Sequence, residues 1–238
     1  MGDEEVRRPT ASVYIDGFNL YRRVLQGHPT DKWLDIERLS EVILPEYDIV
    51  QVRYFTAIIK PLPGADPQSP QRQQIYLRAL GTLPRTSIHM GRFRIDPRVM
   101  PVHPVEFLEN GSPRMVRVKK TEEKGSDVAL ASYLMLDAMR GTSDLYVVCS
   151  NDSDLVTPLK LAREELGRRV GLITPMEPKR ASNELKQIGL ELHRSVTVAN
   201  LRSCQLPLTI RDEVGTIKRP EKWSGNSEGP VETGPSNQ

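Results

Sequence analysis

Two short apolar runs, Val13-Tyr14-Ile15 and Leu145-Tyr146-Val147-Val148-Cys149, lead straight to aspartates, and helical-period sequence follows each. Asp16 closes the first run; Asp152 and Asp154 follow the second. Runs that are apolar at every position fit strands buried on both faces. Further strands are expected over residues 50–59, 86–94 and 169–173, where β-branched residues gather. Between the strands, residues 18–26, 35–44, 69–80, 127–139 and 155–166 read as helices; in 35–44, for instance, Ile36, Leu39, Val42 and Ile43 recur at helical spacing. Alternating strands and helices predict an α/β fold: a mainly parallel sheet with helices on both faces. Such a sheet builds its site at the carboxyl ends of its strands, where these acids stand.

Local signals sharpen the outline. Gly17 permits a tight turn from the first strand into its helix. Pro45 stops the second helix, and Ser69 with Pro70 reads as a helix start. Residues 61–67 read as a loop. Residues 96–120 break the alternation with four prolines and two strand-like pieces, 105–108 and 115–119, around Glu109-Asn110-Gly111-Ser112. A small inserted β-hairpin is expected there. Residues 184–188 and 190–192 would close the domain with a short helix and an edge element. The expected boundaries are a flexible leader at 1–10, the α/β domain at 11–194, a C-terminal extension at 195–220 and a disordered tail at 221–238. Gly, Ser, Pro, Asn and Glu dominate that tail.

Composition excludes several classes of protein. A hydrophobic content of 38% supports a real core, and a net charge of +2 argues against purely electrostatic nucleic-acid binding. The two cysteines, Cys149 and Cys204, form no CxxC pair, and Cys149 reads as a buried thiol. No apolar run reaches the ~18 residues of a membrane span. The charged start, Met1 to Pro9, lacks the apolar segment of a signal peptide. A cytoplasmic, reduced protein is the expectation. His28, His89, His103 and His193 show no metal-ligand spacing.

The aspartates carry the chemistry. Asp127 opens a helix right after Gly125-Ser126, so three separate segments offer an acid at a strand end or helix start. A single Asp at such a place is commonly a helix cap. Several converging there would repel one another, by about 4 kcal/mol for two charges ~4 Å apart at an effective dielectric of ~20. A bound divalent cation or protons would relieve this. Oxygen donors without His or Cys favour hard ions such as Mg²⁺ or Mn²⁺, and metal-assisted phosphate chemistry follows.

Three segments, in this order, resemble a known pattern. They are Val13-Tyr14-Ile15-Asp16-Gly17-Phe18-Asn19-Leu20-Tyr21, then Lys119-Lys120-Thr121-Glu122-Glu123-Lys124-Gly125-Ser126-Asp127-Val128, then Cys149-Ser150-Asn151-Asp152-Ser153-Asp154-Leu155. Together they resemble the NYN domain of the LabA-like branch, within the PIN-like nuclease superfamily, from about Val13 to Leu192. That resemblance implies a three-layer αβα, PIN-like (Rossmannoid) fold and a metal-dependent ribonuclease site. It implies Asp16, Asp127 and Asp152 as metal ligands, with Asp154 beside them as ligand or water positioner. It implies that Asn19 holds a phosphate oxygen or orients Asp16, and Ser150 and Asn151 are candidate supporting donors.

Basic residues cluster just ahead of Asp127, and Arg117, Lys120 and Lys124 are candidates to grip an RNA backbone. The bland alternative is a solvated edge that discourages strand aggregation. Phe18 reads first as a packing residue, with base stacking as a second role. The leading expectation is an Mg²⁺- or Mn²⁺-dependent endoribonuclease acting on RNA, with a homo-oligomer allowed by an exposed edge strand. The alternatives are a non-catalytic RNA-binding or regulatory module with the same fold, and a phosphatase using Asp152-x-Asp154. Against the phosphatase, no second Asp stands two residues after Asp16.

Overall fold

The computed structural model describes residues 7–60 and 66–225. In chain order the elements are β1 (Thr10–Asp16), α1 (Gly17–Arg23), α2 (Ile36–Ile43), β2 (Asp48–Thr56), α3 (Ser69–Leu80), β3 (Thr86–Met90), β4 (Arg92–Pro101) and β5 (Met115–Lys124). Then come α4 (Ser126–Arg140), β6 (Leu145–Cys149), α5 (Val156–Glu164), β7 (Arg169–Thr174), α6 (Asn183–Lys186) and β8 (Leu192–Ser195). The chain ends in α7 (Val198–Ser203), β9 (Thr209–Asp212) and β10 (Gly215–Lys218).

Six strands pair in parallel in the order β3-β2-β1-β6-β7-β8. The first strand therefore lies mid-sheet, and the chain reverses its direction of travel between β1 and β6. At such a switch point the loops leaving the two strands diverge and open a crevice. Side chains alternate between two buried layers. Val13, Ile15, Val147 and Cys149 face α1, α2, α3 and α7. Tyr14, Phe55, Tyr146 and Val148 face α4, α5 and α6. This is the three-layer αβα arrangement that the alternating pattern predicted, and it explains why residues 13–15 of β1 and the whole of β6 are apolar. Cys149 and Cys204 are both free and buried.

The hairpin is present but larger than expected. The run expected as one strand over 86–94 divides at Gly91: β3 joins the main sheet, and β4 leaves it to pair with β5, from Arg92↔Lys124 to Pro101↔Met115. Residues 105–108 are not a partner strand for β5; only Phe107 makes an isolated bridge, to Pro113. The prolines hid this, because Pro97 and Pro101 lie within β4, and proline argues against a strand interior.

The carboxyl-terminal region is also more ordered than expected. Residues 221–225 are not disordered. Glu221–Trp223 forms a 3-10 turn, and the Trp223 ring packs 6.2 Å from Trp33 and 6.1 Å from Tyr76. The rest of the expected tail, 226–238, lies outside the described residues, as do residues 1–6 of the leader and 61–65 of the loop. Among the described residues, no helix is long and apolar enough to cross a membrane.

Candidate metal centre and nucleic-acid cleft

The site is built from the ends of β1 and β6 and the start of α4. Asp16 ends β1 and caps α1, its Oδ1 accepting from the Asn19 amide at 2.9 Å. Gly17 makes that turn possible: a Cβ there would sit 2.6 Å from the Tyr54 ring and 2.8 Å from the Phe55 carbonyl. The Ser150 hydroxyl, just past β6, donates to Asp16 Oδ2 at 2.9 Å and accepts from the Asp152 amide at 3.1 Å. One hydroxyl thus ties the two strand ends together. The Asn19 side-chain oxygen accepts from the Asn151 amide at 3.1 Å, a second tie between the same loops. Asn151 in turn accepts from the Ser182 amide at 2.7 Å.

Asp127 comes from the other direction. Gly125, at φ +99°, turns the chain from β5 into α4. Glu123 caps the helix, its carboxylate accepting from the Ser126 amide at 3.1 Å and hydroxyl at 2.6 Å. Asp127 then stands in the first turn of α4, where the helix dipole favours an anion.

These supports bring Asp16, Asp127 and Asp152 together. Each offers a carboxylate oxygen, and the three oxygens lie within 4.8 Å of one another. Their electrostatics record the crowding. Burial raises Asp16 above the usual carboxylate range, against hydrogen bonds from Asn19 and Ser150 that pull it down, while the nearby Asp152 charge pushes it up further. Asp127 is pushed up to about 6, first by lost hydration and then by the charges of Asp16, Asp152 and Glu123. The triad could hold a metal ion. Carboxylates that resist ionising side by side, with only oxygen donors, suit a hard divalent cation.

The remaining expected site residues divide. Asp154 is exposed and outside the lining of the cleft; its amide donates to Asp152 Oδ1 at 3.1 Å. Lys124 lines the cleft, whereas Arg117 and Lys120 do not. Both Lys120 and Lys124 pair with Glu122. The cleft, about 640 Å³, also takes in residues the sequence did not single out. Arg22 and Arg23 line it from α1 and form no salt bridge among the described residues. Each stands four residues after a cleft-lining residue of α1, Phe18 and Asn19, and that spacing is the signal that brings them to the cleft. Thr121 lines the same cleft, and its buried hydroxyl lacks a hydrogen-bond partner. Glu123 lines the cleft as well and adds negative charge beside Asp127.

Comparison with known proteins gives three findings. A profile of the NYN domain matches residues 10–189. A 6-hydroxy-3-succinoylpyridine 3-monooxygenase from Pseudomonas putida is 30% identical over 243 residues, 91% of this chain and 76% of that protein. A crystal structure of a protein of unknown function from Vibrio parahaemolyticus aligns with a TM-score of 0.48 at 15% identity, over 87% of this chain and 100% of that one.

Proposed function

The chain belongs to the NYN domain family, and from that premise we propose that it is a metal-dependent ribonuclease. One observation carries the reading: three carboxylates from separate segments converge within 4.8 Å at the switch point of a parallel sheet. Asp16, Asp127 and Asp152 would hold Mg²⁺ or Mn²⁺. Bound there, the ion would acidify a water and offset charge building on the phosphorus. The chain's own residues do the rest. Ser150 and the Asn19 amide hold Asp16 in one orientation. Arg22, Arg23 and Lys124 supply positive charge along the cleft for the RNA backbone, which needs cations but no base reading. Asp154 acts at one remove, through the Asp152 carboxylate that its amide holds.

The test is cleavage of mixed RNA by the purified protein with Mn²⁺, and its arrest by EDTA. Asp16→Asn and Asp152→Asn should each cut the rate by at least ~100-fold with the fold intact, the scale on which a metal site contributes. Metal-dependent cleavage at the wild-type rate in both variants would reject the assignment. RNA binding without any product would favour the non-catalytic module.

The relative named as a monooxygenase supplies a second reading, oxygen insertion into a substituted heteroaromatic ring. The donor set weighs against it. No His or Cys lines the acidic cleft among the described residues, whereas iron oxygenases typically use two His with one carboxylate. Oxygen uptake with a hydroxypyridine and a reductant, measured beside the RNA assay, separates the two.

A further inference from the structure

A second cavity lies behind α1, back to back with the acidic cleft. Its volume is about 120 Å³, and Phe18, Tyr21, Tyr54, Tyr76 and Trp223 form its aromatic walls. The two spaces are one residue apart: Gly17 borders the cavity, Asp16 borders the cleft, and Phe18 borders both.

Several of its polar groups are already engaged: Arg72 pairs with Asp66 and donates to the Ser69 hydroxyl, and Gln73 accepts from the Ile59 amide and donates to the Ala57 carbonyl. Tyr54 and Thr56 stand two apart on β2, so both point to the same face. They are 6% and 2% exposed, and neither hydroxyl has a hydrogen-bond partner among the described residues. The other hydroxyls are engaged: Tyr76 donates to the Leu34 carbonyl at 2.8 Å, and Tyr21 accepts from Lys32 at 3.1 Å. Both residues line the cavity, so their hydroxyls are free to pair with an occupant. Lys32 borders the cavity too and forms no salt bridge among the described residues. Flat aromatic walls, two groups that can each donate and accept, and one unneutralised cation are not how a packing defect is lined. A purely apolar void stays dry and takes hydrocarbon.

We propose that this cavity is a nucleobase subsite, seating one base of a nucleic acid with the phosphate of that nucleotide at the Lys32 rim. The choice of a nucleotide over another anionic heteroaromatic ring rests on the ribonuclease reading. The ring stacks between Phe18 and the facing aromatics, its polar edge meets the Tyr54 and Thr56 hydroxyls, and Lys32 attends the phosphate.

Trp223 borders the cavity, so its fluorescence reports occupancy without any cleavage. The full chain is titrated in EDTA with adenosine and uridine 5′-monophosphates, with ribose 5-phosphate, and with nicotinate. At least one nucleotide should give a saturable change that ribose 5-phosphate does not. Thr56→Val keeps the shape, removes one hydroxyl and should weaken that nucleotide about 3–10-fold. Lys32→Ala, at a half-buried rim position, should weaken it as well, with unchanged circular dichroism in both variants. No saturable response to either nucleotide overturns the proposal, as does undiminished affinity in both variants or a response to nicotinate alone. Cleavage is scored separately. Nucleotide binding without RNA cleavage would uphold the subsite and sink the ribonuclease reading; cleavage without nucleotide binding would do the reverse.

Discussion

Asp127 shows what crowding does to one side chain. Three charges within 4.8 Å repel pairwise by about 3–4 kcal/mol at an effective dielectric of ~20. Asp127, raised from its ordinary 3.8 to about 6, contributes stability that is fully present below pH 3.8 and lost as pH rises through about 6. The metal-free protein should therefore lose stability across that window. Asp127→Asn should flatten the loss and raise the metal-free thermal midpoint near neutral pH. The gain is about 1 kcal/mol once solvent screening is allowed for, or about 2–4 °C. The same variant should no longer gain stability from added Mn²⁺. Thermal melts with and without Mn²⁺ from pH 4 to 8 check both. An unshifted metal response in Asp127→Asn would remove this residue from the ligand set. The aspartates themselves were legible as strand-end acids. The Ser150 bridge was legible only as a nearby polar residue, since its partner Asp16 lies 134 residues away on another strand.

Helix α4 carries Asp127 into the cleft, and a buried ion pair fixes the helix. Asp137 is 1% exposed, and Arg53 on β2 grips it with two nitrogens at 2.8 and 3.1 Å. The Tyr14 hydroxyl donates to the same carboxylate at 2.8 Å. The Arg53 guanidinium also lies 4.6 Å from the centre of the Tyr133 ring, and the His89 ring is stacked on Phe55 at 4.8 Å. One acid therefore joins α4 to β1 and β2 at once. Arg53→Met would leave that carboxylate buried without its counter-charge, and about 3–5 kcal/mol should be lost. Urea unfolding measures it; a loss below ~1 kcal/mol would mean the pair adds little to holding α4. Helical periodicity found α4 but could not find this anchor, because Asp137 and Arg53 are 84 residues apart. The arm of β4 and β5 was harder still. Gly91 accepts no side chain, since a Cβ would meet Glu123 and Lys124, and that crossing ends β3 and starts β4. Sequence shows a continuous β-rich run there, and only the strand partners divide it.

At the scale of the whole molecule, the carboxyl-terminal region belongs to the core. The Trp33 indole N–H donates to the Pro207 carbonyl at 2.8 Å, and Leu201, Cys204, Leu206, Ile217 and Trp223 join the cluster around α2 and α3. Arg78 on α3 grips Asp212 on β9 with two nitrogens. Trp223→Ala should therefore cost about 3 kcal/mol, read as a lower urea midpoint; a midpoint unchanged from wild type would return residues 221–225 to a loose tail. The sequence by itself determined the αβα class, most strand and helix positions, and which acids close the strands. Those are consequences of local periodicity and of burial on one or both faces, and each is written within a dozen residues. The tertiary structure alone decided which strands are neighbours, that the three carboxylates share one cleft with Arg22 and Arg23, and that Trp223 closes an aromatic cavity behind them. Each of these depends on pairing between segments distant along the chain, and pairing is selected by the free energy of the whole core rather than by any local pattern.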